Sequence, residues 1–172
     1  MATTNRDTPM GFRPGYTRHG GPPRMRRYYT DGAAAIGVGD VVDMTAGRIA
    51  SVTATTDLPI GVAATGTQTT GDENVEIMVY DDLVNTVFIA QADSSQIAGT
   101  SMLGVGVDLT ITTLTTATGM SNHEIDVSAS CVGYLHLIDK VNRPDNTWGK
   151  WVDLYVQFLT DPTALARTIP SS

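Results

Sequence analysis

Apolar and polar residues alternate with period two along several stretches of the chain, the pattern of half-buried β-strands. In residues 74–80, Val75, Ile77 and Val79 fall on one face and Glu76, Met78 and Tyr80 on the other. Residues 84–90 put Val84, Thr86, Phe88 and Ala90 opposite Asn85, Val87 and Ile89. Both faces there are partly apolar, which predicts a central strand. Residues 131–138 and 151–159 alternate in the same way. Their connection, 139–149, is dense in turn formers and predicts a β-hairpin with an 11-residue loop. Shorter apolar segments at 41–44, 48–54, 60–64 and 105–114 are separated by turn residues at intervals of about 8–12 residues, the spacing of a sandwich or barrel. Residues 118–126 read as a long loop.

Composition agrees with this pattern. Lysine occurs only at Lys140 and Lys150, glutamate only at Glu73, Glu76 and Glu124, and β-branched residues abound. The expected fold is all-β: a compact β-sandwich or barrel-like body over residues 31–160. An extended basic N-terminal arm, residues 1–30, precedes it, with Met25–Tyr29 able to pair as a strand. A short C-terminal tail, residues 161–172, follows, with a helical turn at 162–167. The 172 residues suffice for one core without disulfide staples, and the single cysteine, Cys131, allows no intrachain disulfide. Residues 1–7 lack the apolar centre of a signal peptide, and no apolar run approaches the ~20 residues that span a bilayer. A protein made in the cytosol, with no membrane partner, is the expectation.

Charge divides the chain in two. In residues 1–30 six arginines stand against the single acid Asp7, a net of +5; the remainder holds five basic and seventeen acidic residues, a net of −12. Such asymmetry points to two kinds of partner. An arginine arm can bind nucleic acid, act as a solubilising tail or dock on protein. Here Arg13, Arg24, Arg26 and Arg27 are interleaved with Phe12, Tyr28 and Tyr29, a protein-interface composition. Lysine is absent, and Pro9, Pro14, Pro22 and Pro23 keep the arm non-helical. These seven residues are therefore the candidate docking elements, with the arginines facing acids of a neighbour and Phe12, Tyr28 and Tyr29 as apolar anchors. Nucleic acid is the weaker expectation.

Catalytic and metal chemistry finds no support in the spacing. Cys131 has no base nearby on its own strand face, since His136 lies on the opposite face, and it reads as a small core residue. His19, His123 and His136 show no zinc-ligand spacing. Asp81-Asp82 reads as a turn, not a calcium loop. Gly104-Val-Gly106 lacks the third glycine of a phosphate loop. No enzyme activity, cofactor, metal or small-molecule substrate is expected. A second reading, a β-sandwich host-attachment or glycan-binding module, would rest on Trp148, Trp151 and Tyr155 near the last turn.

The order of short motifs adds a resemblance. Met10-Gly-Phe-Arg-Pro14 and Arg26-Arg-Tyr-Tyr29 are followed by Gly39-Asp-Val-Val42 and Pro59-Ile-Gly-Val62. Thr118-Gly-Met-Ser-Asn-His-Glu-Ile-Asp126 and Asp145-Asn-Thr-Trp-Gly149 come after them. This succession resembles the capsid cement, or head decoration, proteins of tailed bacteriophages over almost the whole chain; residues 161–172 have no counterpart. The resemblance implies a non-enzymatic virion protein on the outer surface of the capsid, present in the host cytoplasm during assembly. It implies β-rich subunits, usually homotrimers, that bridge major capsid proteins.

Overall fold

The computed structural model describes residues 5–54, 57–67, 73–94, 98–112, 114, 118–128 and 134–159. Cys131, the start of the strand expected from 131, and the tail from 160 with its expected helical turn lie outside them.

The body is all-β. Among the described residues eleven strands make two antiparallel sheets. They are β1 (Arg13–Thr17), β2 (Met25–Tyr29), β3 (Val41–Thr45), β4 (Arg48–Ser51), β5 (Gly61–Ala63), β6 (Glu76–Tyr80), β7 (Thr86–Gln91), β8 (Gly106–Thr110), β9 (Glu124–Asp126), β10 (Leu135–Lys140) and β11 (Asp153–Phe158). One sheet runs β1-β7-β11-β10-β8-β9, the other β2-β6-β5-β3-β4. Both sheets bend back on themselves: Thr30, after β2, bridges Ile49 of β4 at the far edge of one, and Ala92, after β7, bridges Ile125 of β9 in the other, both in parallel sense.

The period-two segments appear where the alternation places them. β7 is central, paired with β1 on one side and β11 on the other. Both its faces are buried, with Val87 and Phe88 fully excluded from solvent. The hairpin of β10 and β11 forms with a register shift between Leu137 and Asp139, and its loop covers residues 141–152. Two apolar clusters fill the interior. The larger gathers Phe12, Phe88, Phe158, Leu135, Leu154 and Ile125 with Val41 and Val62; the smaller joins Ile36, Val42, Ile49, Ala63, Ile77 and Val79. Adjacent residues Val41 and Val42 thus serve different clusters, so the start of β3 is buried on both faces while Met44 and Thr45 are exposed.

The described part of the expected arm, residues 5–30, does not extend from the body. β1 is an edge strand of the first sheet and β2 an edge strand of the second. Pro14 and Gly15, which suggest an unpaired chain, are accommodated by a register shift between Pro14 and Tyr16. Proline is tolerated on an edge, where its missing N–H faces away from the ladder. Gly15 is needed for another reason: a Cβ there would sit 3.0 Å from Tyr155 Cε1 and 3.1 Å from Ile89 Cγ1. Gly11 has φ +64, and a side chain on it would collide with Ser121. This close approach lets Phe12 N–H donate to Gly39 O at 2.9 Å and the ring enter the core. The segment read as a long loop supplies β9 and, before it, the buried His123.

Candidate functional site

The candidate docking residues divide between the two sheets. Phe12 is 1% exposed and lies 5.7 Å from Phe158, ring centre to ring centre. It is a core residue, not an anchor for a neighbour. Arg13, on β1, meets Asp153 Oδ2 at 3.3 Å, and Arg143 reaches the same oxygen at 2.8 Å. The other five come together at the open edge of the second sheet.

Register builds that edge. β2 pairs with β6 from Met25↔Tyr80 through Tyr29↔Glu76 with no shift. Opposite residues of an antiparallel pair share a face, so Arg24, Arg26 and Tyr28 lie on the side of Ile77, Val79 and Asp81. Met25, Arg27 and Tyr29 lie on the side of Glu76, Met78 and Tyr80. Asp81 follows β6, and its side chain is only 5% exposed. Arg24 Nε donates to Asp81 Oδ1 at 2.8 Å, Arg26 Nε lies 3.1 Å from Oδ2, and the Tyr28 hydroxyl donates to Oδ2 at 3.2 Å. Burial, then the neighbouring carboxylate of Asp81, raises the Tyr28 pKa. Arg27 Nε pairs with Glu76 Oε1 at 3.2 Å on the other face.

The arginines expected to face another protein's acids therefore have acids of their own chain. Asp82 also acts on Arg24, so three guanidiniums stand beside three carboxylates. Over half of each arginine side chain stays exposed, and Met25 and Tyr29 are about half exposed beside them. Asp81 is the residue the sequence reading missed. Asp81-Asp82 as a turn describes only Asp82, which accepts from Asn85 N–H at 3.3 Å and from the Asn85 amide at 3.1 Å. A buried carboxylate shared by Arg24, Arg26 and Tyr28 should be costly to remove. Asp81→Asn is expected to destabilise the fold by about 1–2 kcal/mol, the scale of charge-assisted hydrogen bonds reduced for the exposed arginines. Thermal unfolding of the purified variant checks this; an unchanged midpoint would mean that Asp81 does not organise the edge.

Among the described residues two hollows are wide enough to hold a ligand. The larger, about 730 Å³, lies between the 5–13 segment, the end of β7 and the 143–153 loop. Its polar lining is largely occupied within the chain. Gln91 accepts from Thr8 N–H and donates to Arg6 O and Trp151 O; Asn146 donates to Val141 O and Asp153 O and accepts from Asp153 N–H. Asn5 clasps Thr147 through its amide oxygen and nitrogen. The hollow is a seam that fastens the chain's early segment to the last loop. Trp151 lines it, whereas Trp148 packs on the core and Tyr155 meets Tyr16 edge-on at 5.6 Å.

The smaller hollow, about 450 Å³, is mostly apolar and has Asp40 and His123 among its lining residues. His123 Nδ1 accepts from Val41 N–H at 3.2 Å, which leaves the proton of a neutral ring on Nε2, 3.8 Å from Asp40 Oδ1. Burial depresses the His123 pKa against the pull of Asp40. A hydrolytic triad needs the carboxylate on one ring nitrogen and a hydroxyl on the other. Here the backbone takes the second nitrogen, so the pair braces the turn before β3. Among the described residues no three His, Cys, Asp or Glu side chains are grouped to hold a metal ion, and no helix is long and apolar enough to cross a membrane. No protein-family model, curated protein or solved structure matches the chain.

Proposed function

We propose that this chain is a structural virion protein that decorates the outer surface of a tailed-bacteriophage head and cements neighbouring major capsid proteins. The observation that supports docking is the β2 edge: a preassembled surface of Arg24, Arg26, Arg27, Met25 and Tyr29 fixed on a rigid sheet. Arginine and exposed aromatics on a stiff element present contact area at little entropic cost. The motif order supplies the phage-head context. A cement protein acts through binding alone, and many modest contacts repeated by the symmetry of a shell give avidity. Homotrimer formation belongs to the same proposal. Its interface does not come from β7 and β11, whose apolar faces are already buried within the chain.

Adding the purified full-length protein to undecorated, expanded heads tests the reading. Saturable binding is expected. Tyr29→Ala should weaken it by about 2 kcal/mol, roughly thirtyfold, as for a truncated interface aromatic. The exposed position of Tyr29 makes a folding defect a minor concern. A wild-type protein that does not bind heads would refute the proposal. Selective binding to a glycan array in place of heads would favour the attachment reading.

A further inference from the structure

The edge of β2 carries a second kind of information, in its backbone. Thr30 N–H donates to Val75 O at 3.0 Å. Antiparallel ladders alternate between residues that bond their partner strand and residues that do not. Arg26 and Tyr28 therefore direct their backbone groups to β6, as Thr30 does, while Met25 and Arg27 direct theirs to the open side; the Tyr29 carbonyl faces Ile49 of β4 across the parallel Thr30–Ile49 bridge. The opening is bounded at one end: Asp31 N–H donates to Ile49 O at 3.1 Å, where Thr30 bridges β4. Between Met25 and Tyr29 the edge is regular, with five register pairs and no bulge.

Proteins protect such edges with bulges, prolines or outward charges that repel an incoming strand. This one has no bulge and no proline. Its charges are partly cancelled, because Asp81 draws Arg24 and Arg26 to one face and Glu76 holds Arg27 on the other. The edge is thus open to strand addition while the three guanidiniums beside it stay more than half exposed.

Resting on the docking role proposed above, we infer that β2 accepts an extended, acidic segment of a partner protein as an added β-strand. Backbone N–H and C=O groups of Met25 and Arg27, with the N–H of Tyr29, would bond the new strand. Its carboxylates would meet the exposed guanidiniums, and its apolar side chains would cover Met25 and Tyr29. A second copy of this chain fits the edge poorly. Antiparallel pairing centred on Arg27 would set Arg27 against Arg27 and gather Arg24, Arg26 and Arg27 of both copies at one joint, a repulsive arrangement.

The probe is a blocked synthetic peptide of alternating Glu and Val, compared with its Lys–Val counterpart, binding the full-length chain. The acidic peptide should bind at least about tenfold more tightly, and Arg27→Pro should weaken it by about tenfold or more. The proline removes an outward N–H together with the guanidinium paired to Glu76 and spares the β6 ladder; Arg27→Ala, which loses the guanidinium alone, should weaken the peptide less than Arg27→Pro. On the wild type, the Met25, Arg27 and Tyr29 amides should become protected from hydrogen exchange when the peptide binds, a readout that does not depend on how the variant folds. Equal binding of both peptides, an unaffected Arg27→Pro, amides that stay unprotected, or dimerisation through β2 would each overturn the inference. Heads separate it from the broader proposal. If wild type and a folded Arg27→Pro decorate heads equally, docking stands and strand addition falls. If the peptide binds as expected but wild type ignores heads, strand addition stands and the phage-head role falls.

Discussion

Phe12→Ala is expected to destabilise the protein by about 3–5 kcal/mol, the cost of emptying an aromatic position in a packed core. Phe12 is 1% exposed and packs against Phe158, which itself meets Phe88 edge-on at 5.5 Å. The cavity would open where three aromatic rings from distant parts of the chain converge. Relaxation there is limited, because Phe12 N–H is fixed on Gly39 O and the neighbouring Gly11 is wedged against Ser121. Urea unfolding followed by tryptophan fluorescence measures the loss. A change below about 1 kcal/mol, typical of surface positions, would show that Phe12 lies outside the core. The same geometry predicts that deleting residues 1–24 unfolds the protein, since β1 and Phe12 go together.

The second large effect concerns pH. Burial, with repulsion from Asp7 and then Asp93, raises the Glu124 pKa from 4.5 to about 7. Oε1 of Glu124 is buried without a hydrogen-bond partner. The folded state therefore retains this proton more strongly than the unfolded chain does. Its stabilising contribution is complete below pH 4.5 and declines as pH rises through about 7. The ceiling on that loss is about 3 kcal/mol, and solvent screening of a half-buried carboxyl reduces the expectation to about 1–2 kcal/mol. Glu124→Gln removes the titration. Relative to wild type it should gain stability between pH 5 and pH 8, as read from urea unfolding at several pH values. A wild-type-minus-variant difference that stays flat across this range would show that Glu124 is not the responsible group.

Much of the fold was legible in the sequence because period two survives wherever one or both faces of a strand are buried. β6, β7 and β11 lie within or close to the alternating segments, and apolar residues on both faces identified β7 as central. β1 was not legible. Pro14 and Gly15 signal a break in most settings, and only the edge position and the register shift make them compatible with a strand. β9 has three residues, too few for a period to show. The candidate docking surface was half legible. Arginine and tyrosine in Arg26-Arg-Tyr-Tyr29 mark an interface composition, but their carboxylate partner, Asp81, becomes visible only through the β2–β6 register. Phe12 was misassigned because its neighbours in sequence are polar and turn-forming, while its neighbours in space come from β7 and β11.

The placement of β1 and β2 also bears on how the protein is made. Arg13 pairs with Ile89, Arg26 with Val79, and Phe12 waits for Phe158. On the ribosome, the early strands of both sheets have no partners until β6 and β7 emerge, and the aromatic core closes only after β11. Such long sequence separations slow folding and defer it toward the end of synthesis. The nascent chain therefore carries an unpaired Arg-Tyr segment past the exit tunnel for much of its translation, and this interval is when chaperone capture or misassociation would be most frequent.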